Sequence, residues 1–124
     1  MDNIAFIIED NEDISKIFSK AVEAAGYHSE IICNGKTALS RLGQETPLLV
    51  VLDMHLPEVN GEVLLDYIRS ASHLKETKVI VATADSNLSQ FHQNSANLVL
   101  EKPVTFSQMR DLAKRCKTAQ LRKQ

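Results

Sequence analysis

The sequence predicts an α/β domain: a five-stranded parallel sheet, doubly wound, with helices on both faces. Three observations carry this. Short apolar runs alternate along the chain with longer segments of helical period, the signature of a parallel sheet wrapped by helices. The run Leu48-Leu49-Val50-Val51-Leu52 is apolar at every position, as a central strand covered on both faces requires. The 124 residues, 44% of them hydrophobic, suffice for one shared core and leave no room for a second.

The five apolar runs, read as strands, are Ile4–Ile8, His28–Ile32, 48–52, 78–82 and 97–101. Between the first two, Ile14, Ile17, Phe18, Ala21, Val22 and Ala25 recur with helical spacing and form one stripe. Glu12 and Asp13 suit the positive end of that helix's dipole, and Gly26 can take the left-handed conformation that ends it. A second helix is expected over 35–42, with Asn34 as its N-cap and Gly43 as its stop. The third starts at Asn60 and should bury Val63, Leu64, Tyr67, Ile68 and Ala71. A fourth, over 86–95, has only Leu88 and Phe91 as apolar anchors. The fifth opens with the capping box Thr105-Phe106-Ser107-Gln108 and should turn Phe106, Met109, Leu112, Ala113 and Cys116 inward. Residues 1–119 are expected to form the domain, and 120–124 a polar tail or the start of a linker.

A net charge of −2 lacks the basic footprint of a nucleic-acid binder. The two cysteines, Cys33 and Cys116, cannot build a disulfide framework or a zinc site by themselves, and are expected to be free thiols in a reducing cytoplasm. No apolar run approaches the roughly 18 residues of a membrane span, and Glu9-Asp10 interrupts the only N-terminal candidate for a leader.

In an open parallel sheet, ligands sit beyond the carboxyl ends of the strands. There the sequence sets Glu9-Asp10 after strand one, Asp53 after strand three, Thr83 after strand four and Lys102-Pro103 after strand five. Carboxylates about 5 Å apart repel by roughly 3 kcal/mol per pair at an effective dielectric near 20. Such a set needs a cation or a shared proton. Lys102 can neutralise one charge, and a hard divalent ion the rest.

These residues resemble the receiver domain of two-component response regulators. The acid pair Glu9-Asp10, the acceptor position Asp53, Thr83 followed by Ala84, and Lys102-Pro103 stand in the family's order, with 43 residues from Asp10 to Asp53 and 30 from Asp53 to Thr83. Pro57 and Gly61 fall where the family has its loop proline and glycine. The resemblance covers essentially the whole chain. It implies a flavodoxin-like (βα)5 sandwich with strand order 2-1-3-4-5. It also implies a signalling switch, not an enzyme with an external substrate, in which Asp53 takes a phosphoryl group from a partner histidine kinase or phosphotransfer protein.

By the same resemblance, Asp10, Asp53 and the main-chain carbonyl of His55 would ligate Mg²⁺, for which Mn²⁺ can substitute, with Glu9 acting through a metal-bound water. Thr83, Ala84 and Lys102 would bind the phosphoryl oxygens. The Lys102-Pro103 bond is expected to be cis, aiming the ammonium at Asp53. His55 and Asp85 should tune the lifetime of the acyl phosphate. The implied partners are the kinase and an unspecified downstream effector or output domain, with no nucleic acid or membrane contacted directly and the domain acting as a monomer or as a dimer formed on phosphorylation.

Taken singly, each residue has a plainer reading: Asp53 as a turn or cap, Glu9-Asp10 as the acidic start of a helix, Lys102-Pro103 as a strand exit. Their joint placement favours the site. One alternative is a degenerate receiver acting as a phosphorylation-independent binding module, which the intact Glu9, Asp10, Asp53, Thr83 and Lys102 oppose. A phosphatase of the same architecture would need an acid two residues after the nucleophile, where His55 stands. A flavin carrier would need a phosphate-cradling loop after strand one, and none is present. The sequence departs from the family at Val99, where an aromatic switch residue is usual, and in the short 19-residue step from Thr83 to Lys102. The signal is therefore expected to be read through the segment after strand four.

Overall fold

The computed structural model describes residues 3–84 and 96–122. In chain order it contains β1 (Ile4–Ile8), α1 (Glu12–Ala24), β2 (His28–Ile32), α2 (Gly35–Gln44), β3 (Leu49–Asp53), α3 (Gly61–Ser70), a 3-10 turn (Ser72–Leu74), β4 (Lys78–Thr83), β5 (Leu98–Glu101) and a C-terminal helix (Phe106–Arg122). The strands form one sheet in the order β2-β1-β3-β4-β5, and every adjacent pair is parallel, as expected. Asp85 and the expected helix over 86–95 lie outside the described residues.

Side chains alternate across a strand, so each strand feeds two cores. Phe6, Ile8, Val50, Leu52, Val79 and Val81 face α2 and α3, where they meet Ala38, Leu42, Leu64, Leu65 and Ile68. Ala5, Ile7, Leu49, Val51, Ile80 and Ala82 face α1 and the C-terminal helix, where they meet Phe18, Ala21, Val22, Met109 and Ala113. β3 is buried along its whole length, which explains its lack of polar alternation.

Polar residues before the helices cap them, as expected at Asn34 and in the box that opens at Thr105, and also at Asn11 and Asn60. Asn11 Oδ1 accepts from Ile14 N at 2.9 Å, Asn34 Oδ1 from Thr37 N at 2.8 Å, and Asn60 Oδ1 from Val63 N at 3.2 Å. Thr105 and Gln108 form the reciprocal capping box, with bonds of 2.9 and 3.1 Å. Gly26 has φ 100° and closes α1.

Several expectations fail, each for a geometric reason. Gly43 does not stop α2, which runs on to Gln44 and ends where Glu45 turns extended (φ −126°). Pro47 lies two residues further on and disfavours helix at Thr46, so the proline sets the boundary rather than the glycine. Val63 is 48% exposed, because the buried arc of α3 runs through Leu64, Leu65 and Ile68 instead. Ile17 and Phe106 are likewise exposed at 44% and 37%. Phe106 is the first residue of its helix and carries the Arg110 guanidinium 5.8 Å from its ring centroid. Cys33 is exposed, Cys116 is buried, and both are free thiols. Among the described residues, no helix is long and apolar enough to cross a membrane.

Candidate functional site

Parallel register brings the strand ends to one edge. Ile8 pairs with Leu52, Asp53 with Ala82, and Thr83 with Glu101, so the residues that follow emerge side by side. The ladder continues past the strands themselves: Glu9 N donates to Ile32 O at 3.1 Å, and Lys102 N to Thr83 O at 2.7 Å. These two bonds fix the backbones of Glu9 and Lys102 before either side chain makes a contact.

Carboxylate oxygens of Glu9, Asp10 and Asp53 all lie within 4.8 Å of one another. Glu9 and Asp53 are buried, at 2% and 5% exposure, whereas Asp10 faces solvent. Lys102 Nζ donates to Glu9 Oε1 at 2.7 Å and stands 3.6 Å from Asp53 Oδ1. The His55 N–H donates to the same Asp53 oxygen at 3.1 Å, while the His55 side chain is exposed. Thr83 is fully buried at the end of β4, and Ala84 beyond it is exposed. The Lys102–Pro103 peptide is cis, as expected.

Burial pushes the Glu9 carboxyl up to about 7. The Lys102 ammonium pulls against that rise and the neighbouring Asp53 carboxylate adds to it. Two buried carboxylates and an exposed one around a single ammonium remain short of positive charge. All three donors are hard oxygens within reach of one ion, and Asp10 opens the cluster to water. That donor set fits a hard divalent cation such as Mg²⁺.

Glu9, Asp10, Asp53 and Lys102, expected from the sequence to meet, are thus brought together, with Thr83 on the adjacent strand end. Two features escaped the sequence. Lys102 bonds most closely to Glu9 and not to Asp53. Asn11, besides capping α1, donates its N–H to Glu9 Oε2 at 3.2 Å, so both Glu9 oxygens are engaged. An amide directly after an acid pair that opens a helix was the available signal.

The family model for the response regulator receiver domain matches residues 5–114. DivK of Brucella anthropi, a polar-differentiation response regulator, is 30% identical over 108 residues, covering 85% of this chain and 88% of that protein. FilR2 of Methanothrix harundinacea is 30% identical over 118 residues, covering 86% of this chain and 76% of that protein. In fold, the chain is similar to the chemotaxis response regulator CheY4 of Vibrio cholerae, with a TM-score of 0.83 at 20% identity over 94% of this chain and 99% of the other. It is also similar to the Mn(2+)-bound form of the response regulator Rcp1, with a TM-score of 0.77 at 20% identity over 96% and 94%. With a parallel 2-1-3-4-5 sheet, three carboxylates gathered at its carboxyl edge and a family match along nearly its whole length, the chain belongs to the response regulator receiver domains, the signalling modules of two-component systems.

Proposed function

We propose that this receiver is a phospho-accepting switch whose acceptor is Asp53, loaded by a partner histidine kinase or phosphotransfer protein with Mg²⁺ as cofactor. The observation that carries it is the setting of Asp53. Its carboxylate is buried between the acid pair and Lys102, with one oxygen already held by the His55 N–H.

An Asp53 oxygen would attack phosphorus in line with the bond to the donor, the N–P bond of phosphohistidine or phosphoramidate or the acyl O–P bond of acetyl phosphate. The breaking bond's electrons leave with the donor, and the product is an acyl phosphate. Asp10 and Asp53, with the His55 carbonyl, would hold the ion, which supplies charge neutralisation among the carboxylates and the phosphoryl oxygens. Lys102 and Thr83 would take phosphoryl oxygens, with the N–H of Ala84 as a further donor. Rcp1, alike in fold, is known with Mn²⁺ bound, and a hard divalent ion is what the donor set here suits. The domain then turns over only its own phosphoryl group and passes the signal to an effector or output domain.

Intact-mass analysis with acetyl phosphate or phosphoramidate tests this reading. One phosphoryl group should be added in Mg²⁺ and none after chelation, and Asp53→Asn should abolish it. Unchanged labelling of the Asn variant sinks the assignment, and no labelling of the wild type would leave a binding module that works without phosphorylation.

A further inference from the structure

We propose that Lys102 is a built-in competitor for the cation site, held there by Glu9, so that divalent-ion binding and transfer of the Lys102 ammonium away from Glu9 are one coupled event. This rests on the phospho-acceptor reading and concerns how that same site is controlled.

The order of the distances carries it. Lys102 Nζ lies 2.7 Å from Glu9 Oε1 and 3.6 Å from Asp53 Oδ1, so its hydrogen bond goes to Glu9 and not to the acceptor. Glu9 is 2% exposed and its second oxygen accepts from Asn11 N, so its carboxylate is held in place on both sides. Asn11 is fixed, because its carbonyl and its side chain both close the first turn of α1. Lys102 is the mobile partner: its ammonium rides on a four-carbon stem, and the side chain is 17% exposed.

An ammonium and a divalent ion that draw on the same carboxylates repel each other, and by linkage each lowers the other's occupancy by the same factor. The ion therefore does two things. It neutralises the acids, and it frees the Lys102 ammonium to meet a phosphoryl oxygen. Cation first and phosphodonor second follows as the order of loading.

Mg²⁺ titration by calorimetry at pH 8.5, high enough to keep proton uptake by the acid cluster out of the measurement, decides the matter. Lys102→Met should bind Mg²⁺ about tenfold more tightly than wild type, and Lys102→Arg, which keeps the charge, should stay within about threefold. In a Glu9→Gln background the gain from Lys102→Met should largely vanish. In the unaltered protein, the Lys102 ¹³Cε and ¹⁵Nζ resonances should shift with the same midpoint as the calorimetric curve. An unmoved Lys102 signal, or a Lys102→Met affinity no tighter than wild type, overturns the proposal. Equal tightening in both backgrounds assigns the antagonism to the ammonium's field and overturns the part given to Glu9. Failure of wild type to bind Mg²⁺ overturns this and the phospho-acceptor reading together, whereas Mg²⁺-dependent labelling of Asp53 with an unchanged Lys102→Met affinity overturns this one alone.

Discussion

Gly61 lies so close under Met54 that a Cβ on the glycine would come within 2.6 Å of the Met54 Cα and 2.8 Å of the Asp53 carbonyl oxygen. Those are backbone atoms of the strand end that carries Asp53, and they cannot swing aside. The close approach lets α3 start directly beneath the site, with Gly61 N bonded to Met54 O at 3.2 Å. Gly61→Ala is therefore expected to cost about 2 kcal/mol or more of stability by overpacking. It should also weaken Mg²⁺ binding, since the atoms forced apart include the main chain of Asp53, one carboxylate of the acidic cluster. Urea unfolding and metal titration of the variant check both effects.

Glu58, in the loop between Asp53 and α3, has φ 69°, a left-handed conformation that costs a residue with a Cβ about 1 kcal/mol. Glycine has no such cost, though it makes the unfolded chain more flexible. Glu58→Gly should be more stable than wild type by about 0.5 kcal/mol, and Glu58→Val less stable by about 1 kcal/mol or more, because β-branching aggravates the strain. A Gly variant weaker than wild type in chemical denaturation would contradict this.

Both of those features depend on how loops approach the core, and neither was legible in the sequence beyond the presence of Gly61 at a plausible place. The sheet was legible, because burial on both faces leaves an unbroken apolar run such as Val50-Val51-Leu52, and parallel strands align their ends. That alignment is also why Glu9, Asp10, Asp53 and Lys102 could be named together. Which members pair could not be read, since the Lys102 bond to Glu9 instead of Asp53 depends on a difference of less than 1 Å. The stripe of α1 was right in phase and too wide, with Ile17 at its margin, whereas that of α3 was rotated: the expected face ran through Val63 and left out Leu65, and the buried one runs through Leu64, Leu65 and Ile68. Phe106 lies on the right face but at the first position of its helix, where the core no longer covers it. Periodicity finds that a helix has an apolar face, and packing decides which apolar residues that face buries.

Asp10 and Glu9 should differ as cation ligands. Asp10 is exposed, while Glu9 is buried with both oxygens engaged by Lys102 and Asn11. Asp10→Asn is expected to reduce Mg²⁺ affinity by about tenfold or more, as loss of a direct ligand, and Glu9→Gln by a smaller factor. Mg²⁺ titrations of the two variants measure this, and equal losses would remove the distinction.

The last prediction concerns pH. Burial raises the Glu9 carboxyl from its ordinary 4.5 to about 7, so between those values the folded chain keeps a proton that the unfolded chain has released. Where the folded state binds more protons, stability falls as pH rises. Without divalent ions the domain should therefore lose stability from about pH 4.5 to about pH 7, by at most about 3 kcal/mol, and level off above. Glu30, drawn down by the Arg41 guanidinium at 2.6 Å, acts in the opposite sense and only at the acidic end, where its ion pair is lost, so the two windows separate. Mg²⁺ competes with the Glu9 proton for the cluster, and its affinity should rise with pH up to about 7 and then flatten. Saturating Mg²⁺ should accordingly remove most of the stability loss. Urea unfolding at pH 5, 6, 7 and 8, with and without Mg²⁺, reads both effects. A metal-free stability that is flat or rising across this range would mean that Glu9 is ionised throughout and that Lys102 already satisfies the buried charge.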